Sequence, residues 1–187
     1  MKLKNMNVPN KLTLIRFASI PIIIAVMLIN VEWFDWLALV IFLLSSFTDF
    51  VDGRIARKRG IVTNFGKLMD PLADKMMIVS ILIVLVSQNR VNPIAVIVIV
   101  MRELAVTGLR AIAASSSGGG KVIPASIWGK MKTVSQMLTV ALLLIDKRIY
   151  SIIDFPIIGI LVIIMTALTL ISGIEYFVQS KDCFNDC

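Results

Sequence analysis

The sequence predicts an all-α integral membrane protein with six transmembrane helices and a cytoplasm-facing polar cavity. Three observations carry that expectation. Of the 187 residues 58% are hydrophobic and the mean hydropathy is +0.90, whereas a soluble domain of this size is nearer half apolar. Apolar runs of about 20 residues recur, each long enough to cross a hydrocarbon core of about 30 Å. Short turns rich in polar residues separate these runs, and one stretch carries four aspartates, Asp49, Asp52, Asp70 and Asp74. Six such spans use about 120 residues. No room is left for a separate soluble domain, so residues 1–187 read as one membrane domain, with a juxtamembrane segment at 1–11 and a polar tail at 179–187.

The first span is expected over residues 12–30, with Pro9 near its start, Asn10 as N-cap and Pro21 as a kink. Residues 32–36, Glu-Trp-Phe-Asp-Trp, read as a turn with interfacial aromatics. The second span runs from Trp36 past Asp52 to Arg57, and Gly60 ends it. The third covers 67–87 and the fourth 93–114, opened by Pro93. After the flexible Ser/Gly loop at 115–120 come a fifth span over 124–145 and a sixth over 156–178.

Lysine and arginine placement orients the chain. Lys2, Lys4, Lys11, Arg54, Arg57, Lys58, Arg59, Lys67, Lys121 and Lys181 fall on one side, against Arg90, Lys147 and Arg148 on the other. Both termini and the acidic stretch therefore face the cytoplasm, in a multi-pass protein of the cell membrane. The net charge of +7 sits beside membrane segments, which favours anionic lipid and phosphate over nucleic acid as partners. There is no histidine, which disfavours a zinc site and excludes Ser–His–Asp chemistry, and Cys183 and Cys187 in the tail read as free thiols. No small-residue cleavage site follows the first apolar run. Two phosphate-loop lookalikes, at 60–67 and 118–121, fail the required spacing or the final Ser/Thr.

The acids carry the chemistry. Asp49 and Asp52 are spaced i, i+3, and Asp70 and Asp74 are spaced i, i+4, so each pair shares a helix face. Four converging carboxylates repel unless cations neutralise them, and oxygen ligands without His or Cys select Mg²⁺, Mn²⁺ or Ca²⁺. A carboxylate-held metal pair suits the clamping of a phosphoryl group. A charged loop whose acids pair with Arg54, Arg57 and Lys67 is the plainer alternative.

The residues alone leave both readings open, and a resemblance favours the first. D-x2-D-G-x2-A-R-x8-G-x3-D-x3-D, filled by Asp49, Asp52, Gly53, Ala56, Arg57, Gly66, Asp70 and Asp74, resembles the signature of the CDP-alcohol phosphatidyltransferases. The resemblance extends from about residue 7 to Tyr176, through the segments 8–16, 102–110 and 128–133, and is closest to the branch whose acceptor is glycerol 3-phosphate. It implies a homodimer in the lipid bilayer and two divalent metals, Mg²⁺ or Mn²⁺, held by Asp49, Asp52, Asp70 and Asp74. It implies that Asp74 is also the general base, and that CDP-diacylglycerol lies against Asp52, Gly53, Ala56, Arg57, Thr63 and Gly66 with Asn10 and Thr13 nearby.

Arg102, Glu103 and Arg110 lie inside the fourth span, and Lys130, Lys132, Thr133 and Gln136 near the start of the fifth. Intramembrane ionisable groups are rare and usually functional. One reading is a structural ion pair of Arg102 with Glu103 or Asp74. The other is a basic pocket for a phosphate-bearing acceptor, served by Arg110, Lys130 and Lys132. A sister transferase using inositol phosphate or serine would share the acids and differ in this pocket. A transporter would spread its charges along a path rather than cluster them at one membrane face, and a purely structural protein would leave the acids dispensable.

Overall fold

A computed structural model describes residues 8–29, 31–59, 64–115, 126–145 and 156–179. Among them are six helices and no strand: α1 (Val8–Leu28), α2 (Glu32–Arg59), α3 (Asn64–Ser87), α4 (Pro93–Ser115), α5 (Ile127–Leu144) and α6 (Pro156–Gln179). The all-α expectation holds, and the helix bounds lie close to the expected spans. Two details differ. Helix α1 already includes Pro9 and Asn10, so Asn10 is not its cap. Residues 32–36 form the first turns of α2 rather than a linker. Gly60, the loop at 116–125, the turn at 146–155 and the cysteine tail lie outside the described residues.

Local chemistry sets several of the helix ends. At the end of α3, Arg90 N–H donates to the Leu85 carbonyl at 2.9 Å and Asn89 N–H to that of Val86 at 2.9 Å, with Asn89 at φ 57°. This is the doubly bonded C-terminal motif in which one residue turns left-handed, a conformation asparagine tolerates. Asn92 then caps α4, its side chain accepting from Ile94 N–H at 2.8 Å, with Pro93 in the first helical position where no N–H is needed. Ser126 caps α5 by accepting from Gly129 N–H at 3.0 Å.

Each inward face repeats at three and four residues. On α1 the stripe is Thr13, Arg16, Ile20, Ile23 and Met27, and on α5 it is Lys132, Gln136, Thr139, Val140 and Leu143, all buried. Helix α1 packs on α2 and α3, α5 on α6, and α4 on α6 and α3. The apolar parts of the stripes merge into one core around Ile23, Phe42, Leu82, Leu85, Ile99 and Leu143. Every stripe that turns polar near the site does so at the same end of the bundle. That end collects the starts of α1, α3 and α5 and the ends of α4 and α6.

At the opposite end a different set of polar contacts joins four helices. Arg90 forms a buried ion pair with Asp35 in the first turn of α2 and donates to the Leu143 carbonyl of α5 at 3.2 Å. Gln88 Nε2 reaches the Met27 carbonyl of α1 at 2.8 Å.

The outer faces are apolar. Ile15, Leu43, Ile83, Met101, Leu138 and Ile163, from six different helices, are all exposed, far more greasy surface than a water-facing protein presents. Two stretches, Lys11–Leu28 and Ile158–Gln179, are long and apolar enough to cross a membrane.

Candidate functional site

The acids of the signature sit where two helices end or begin. Asp49, Asp52, Gly53, Ala56 and Arg57 occupy the last turns of α2, while Gly66, Asp70 and Asp74 occupy the first turns of α3. The side chains of Asn10, Asp49, Asp52, Gly53, Ala56, Arg57 and Gly66, and Thr63 altogether, lie outside the described ones. Asp70 and Asp74 are described, and their surroundings are specific.

Helix α1 supplies those surroundings. Thr13 Oγ1 donates to Asp70 Oδ1, and Arg16 Nη1 lies 3.1 Å from Asp74 Oδ1. Thr13 and Arg16 are one turn apart, as Asp70 and Asp74 are, so the two helices meet through paired i, i+3 and i, i+4 steps. The Arg16 side chain is fully buried while that of Asp74 is 35% exposed, so the cation is fixed within the bundle and the carboxylate opens outward. Arg16 Nε also donates to the Ser45 carbonyl of α2 at 3.4 Å, and Ser19 and Ser45 hydroxyls bond at 2.9 Å. These contacts tie α1 and α2 together just before α2 reaches its own acids. Thr13 was expected beside the nucleotide on resemblance alone. Arg16 was not singled out, although its charge inside an apolar run was a signal.

Asp74 lines a cavity of about 160 Å³. Lys75, Glu103, Lys132, Thr133 and Gln136 line it too, with Pro71, Ile78, Val79 and Ile99 completing the wall. Glu103 is the centre of the charge. Lys132 Nζ bonds Glu103 Oε1, Arg102 Nη1 donates to the same oxygen at 3.1 Å, and Lys75 Nζ lies 3.8 Å from Oε2. Lys75 also donates to Thr107. Three cations on one carboxylate leave a surplus of positive charge in a buried setting, where it interacts strongly with any anion that enters. Arg102 reaches α6 as well, donating to Ser172 Oγ at 2.5 Å, and its Cγ would lie 3.0 Å from a Cβ placed on Gly173. A residue larger than glycine there would press on the arginine stem.

The basic residues expected at an acceptor pocket are thus distributed unequally. Lys132 is buried and lines the cavity. Arg110 lies beyond it on α4, its Nε donating to Tyr176 Oη at 2.6 Å and its guanidinium stacked 4.8 Å from that ring. Lys130 is exposed and does not line the cavity. The Arg102–Glu103 ion pair anticipated as the structural reading is present. The cations it shares Glu103 with, Lys75 and Lys132, make it part of the pocket as well.

The donor set fits a hard divalent cation. Asp70 and Asp74 offer carboxylate oxygens on one helix face, each held by a neighbour on α1 (a hydroxyl and a buried guanidinium), and the chain has no histidine to favour a softer metal.

Comparison with known proteins agrees with this geometry. Residues 6–174 match the CDP-alcohol phosphatidyltransferase family. A Bacillus subtilis (strain 168) protein named CDP-diacylglycerol–glycerol-3-phosphate 3-phosphatidyltransferase is 41% identical over 186 residues, covering 91% of this chain and 93% of its own. Proteins of the same name from Rickettsia bellii (strain RML369-C) and Haemophilus influenzae (strain ATCC 51907 / DSM 11121 / KW20 / Rd) are 38% and 34% identical, over 95% and 96% of this chain and 97% and 96% of theirs. With the signature acids at the α2–α3 junction and the match running nearly end to end, the chain belongs to the CDP-alcohol phosphatidyltransferase family.

Proposed function

We propose that this protein transfers the phosphatidyl group of CDP-diacylglycerol to glycerol 3-phosphate, releasing CMP, in phosphatidylglycerol synthesis. The observation that carries the reading is the cavity itself. It is lined by Asp74 together with Glu103 and two of its cations, Lys75 and Lys132, in a chain closely similar to enzymes named for that reaction. An inositol or serine hydroxyl without phosphate would leave the positive charge uncompensated.

Asp49, Asp52, Asp70 and Asp74 hold two divalent cations, Mg²⁺ or Mn²⁺, which when bound supply positive charge to the pyrophosphate and to the departing CMP. Arg16 fixes the Asp74 carboxylate from behind, and Thr13 does the same for Asp70. Lys132 and Lys75 draw the acceptor phosphate into the cavity. Asp74 takes the proton of the attacking glycerol hydroxyl. The hydroxyl oxygen bonds to the phosphorus that bears diacylglycerol, and the bond from that phosphorus to the CMP oxygen breaks. Gly53 and Ala56, without bulk, let the nucleotide approach α2, while Arg57, Thr63, Gly66 and Asn10 contribute to its binding.

Lys132 is the acceptor cation with the clearest expected effect. Losing one charge-assisted phosphate contact costs about 1.5–3 kcal/mol, or roughly tenfold or more in affinity. Lys132→Met should therefore raise KM for glycerol 3-phosphate at least about tenfold, with KM for CDP-diacylglycerol little changed. Arg110→Ala and Lys130→Ala should act in the same direction, Lys130 least because it is exposed. An unchanged acceptor KM in the Lys132 variant contradicts this assignment.

The six-span membrane arrangement belongs to the same proposal. It is supported by the outward apolar faces and by the length of α2, whose 28 residues span about 42 Å and so carry its acidic end past a core of about 30 Å. Cysteine labelling should place both termini and the loops around Arg59 and Gly119 in the cytoplasm, with Glu32, Asn89 and Lys147 outside. An external Gly119 loop contradicts it. The apolar faces can also accept a second copy, in keeping with the homodimer that the resemblance implies.

A further inference from the structure

Gln136 is a buried polar side chain that this scheme does not use. It stands one turn beyond Lys132 on the inward face of α5, is 2% exposed, and lines the cavity. Its Nε2 has no hydrogen-bond partner among the described residues. It lies between Lys132 and Thr139, on the polar part of the stripe that faces the cavity, before the face turns apolar at Val140 and Leu143; a buried amide of this kind needs a hydrogen-bond partner.

The rest of the lining narrows what the amide can serve. Lys75, Lys132, Glu103 and Asp74 are charged, and Pro71, Ile78, Val79 and Ile99 are apolar. Thr133 and Gln136 are the two uncharged polar side chains in the lining, and the Thr133 hydroxyl already donates to the Gly129 carbonyl at 3.0 Å. Gln136 is thus the neutral donor available to a molecule lying between Asp74 and Lys132. A neutral amide suits a neutral oxygen. The phosphate matches the lysines, and the reacting hydroxyl must face Asp74.

We propose that Gln136 is a specificity-determining residue of the acceptor site, donating from Nε2 to the secondary hydroxyl of glycerol 3-phosphate. This rests on the acceptor reading above. It predicts that the enzyme distinguishes glycerol 3-phosphate from 3-hydroxypropyl phosphate, which keeps the phosphate and a primary hydroxyl but lacks the middle one. A site built to bond a hydroxyl discriminates against the analogue without it, because the donor is then left unpaired.

The test compares kcat/KM for these two acceptors in one preparation of the full-length enzyme with CDP-diacylglycerol, so that the ratio is independent of the folded fraction. The wild type should favour glycerol 3-phosphate by roughly tenfold or more, and Gln136→Met should bring the ratio below about three, mainly by raising KM for glycerol 3-phosphate. Gln136→Leu should repeat the result. A wild type indifferent to the middle hydroxyl, or a Gln136→Met enzyme that keeps the wild-type ratio, overturns the role of Gln136 while leaving glycerol 3-phosphate as acceptor. If neither variant folds, Gln136→Asn, which keeps the amide but withdraws it by one methylene, serves in their place: it should lower the ratio, and an unchanged ratio overturns the role of Gln136. A wild type that uses neither phosphorylated acceptor but accepts another alcohol overturns the acceptor reading, and this proposal with it.

Discussion

Asp70→Asn is expected to abolish CMP release while leaving the protein folded and inserted. Asparagine has nearly the shape of aspartate, and its side-chain carbonyl can still accept from Thr13, so the α1–α3 contact survives. What is lost is the negative charge that a hard divalent cation requires of its ligand. Metal stabilisation of a phosphoryl transition state amounts to several kcal/mol, so turnover should fall about a thousandfold or more. Asp49→Asn should behave alike, as the i, i+3 partner of Asp52 at the end of α2. CMP release per folded molecule, with the thermal midpoint as the folding control, measures this. Wild-type turnover in either variant, or full activity in excess chelator, contradicts the metal reading.

Asp35→Ala is expected to do the reverse, unfolding the protein more easily without touching its chemistry. Arg90 is a buried cation held between Asp35 and the Leu143 carbonyl, and both side chains of the pair are less than a tenth exposed. Removing one partner of such a pair strands the other, at a cost of about 3–5 kcal/mol. The pair ties the start of α2 and the end of α3 to α5, at the opposite ends of the helices that carry Asp52 and Asp70. The thermal midpoint in detergent should drop by several degrees, since each kcal/mol is worth about 2–4 °C at this chain length. The turnover of the molecules that remain folded should be unchanged. An unaltered midpoint would mean that the far-end contacts contribute little to stability.

The contrast between these two variants shows what could be read from the sequence. Asp49, Asp52, Asp70 and Asp74 were legible because a local spacing repeats a known pattern, and Pro93 and Ser87 because helix boundaries obey local chemistry. Asp35 was misplaced in a turn. Its partner is 55 positions away, and a charged residue beside tryptophans looks interfacial until Arg90 is folded back on it. Arg16 escaped for the same reason, being joined to Asp74 by tertiary packing alone. Lys130 and Lys132 show the limit within one helix. Two residues apart on a helix, they point to different faces, and only the packing of α5 against α6, α2 and α3 decides that Lys132 turns inward. Glu103 was seen as a partner for Arg102, but its hold on Lys75 and Lys132 required three helices to meet.

The central claim is that the cations around Glu103 and the carboxylate of Asp74 face one phosphorylated acceptor. It is tested most directly by CMP release from CDP-diacylglycerol by the purified protein with Mg²⁺ or Mn²⁺, across glycerol 3-phosphate, inositol phosphate, inositol, serine and glycerol. Release dependent on both metal and glycerol 3-phosphate, with phosphatidylglycerophosphate as the lipid product, is the predicted result. Preferential use of serine, inositol or glycerol, or release that ignores the acceptor altogether, would contradict it.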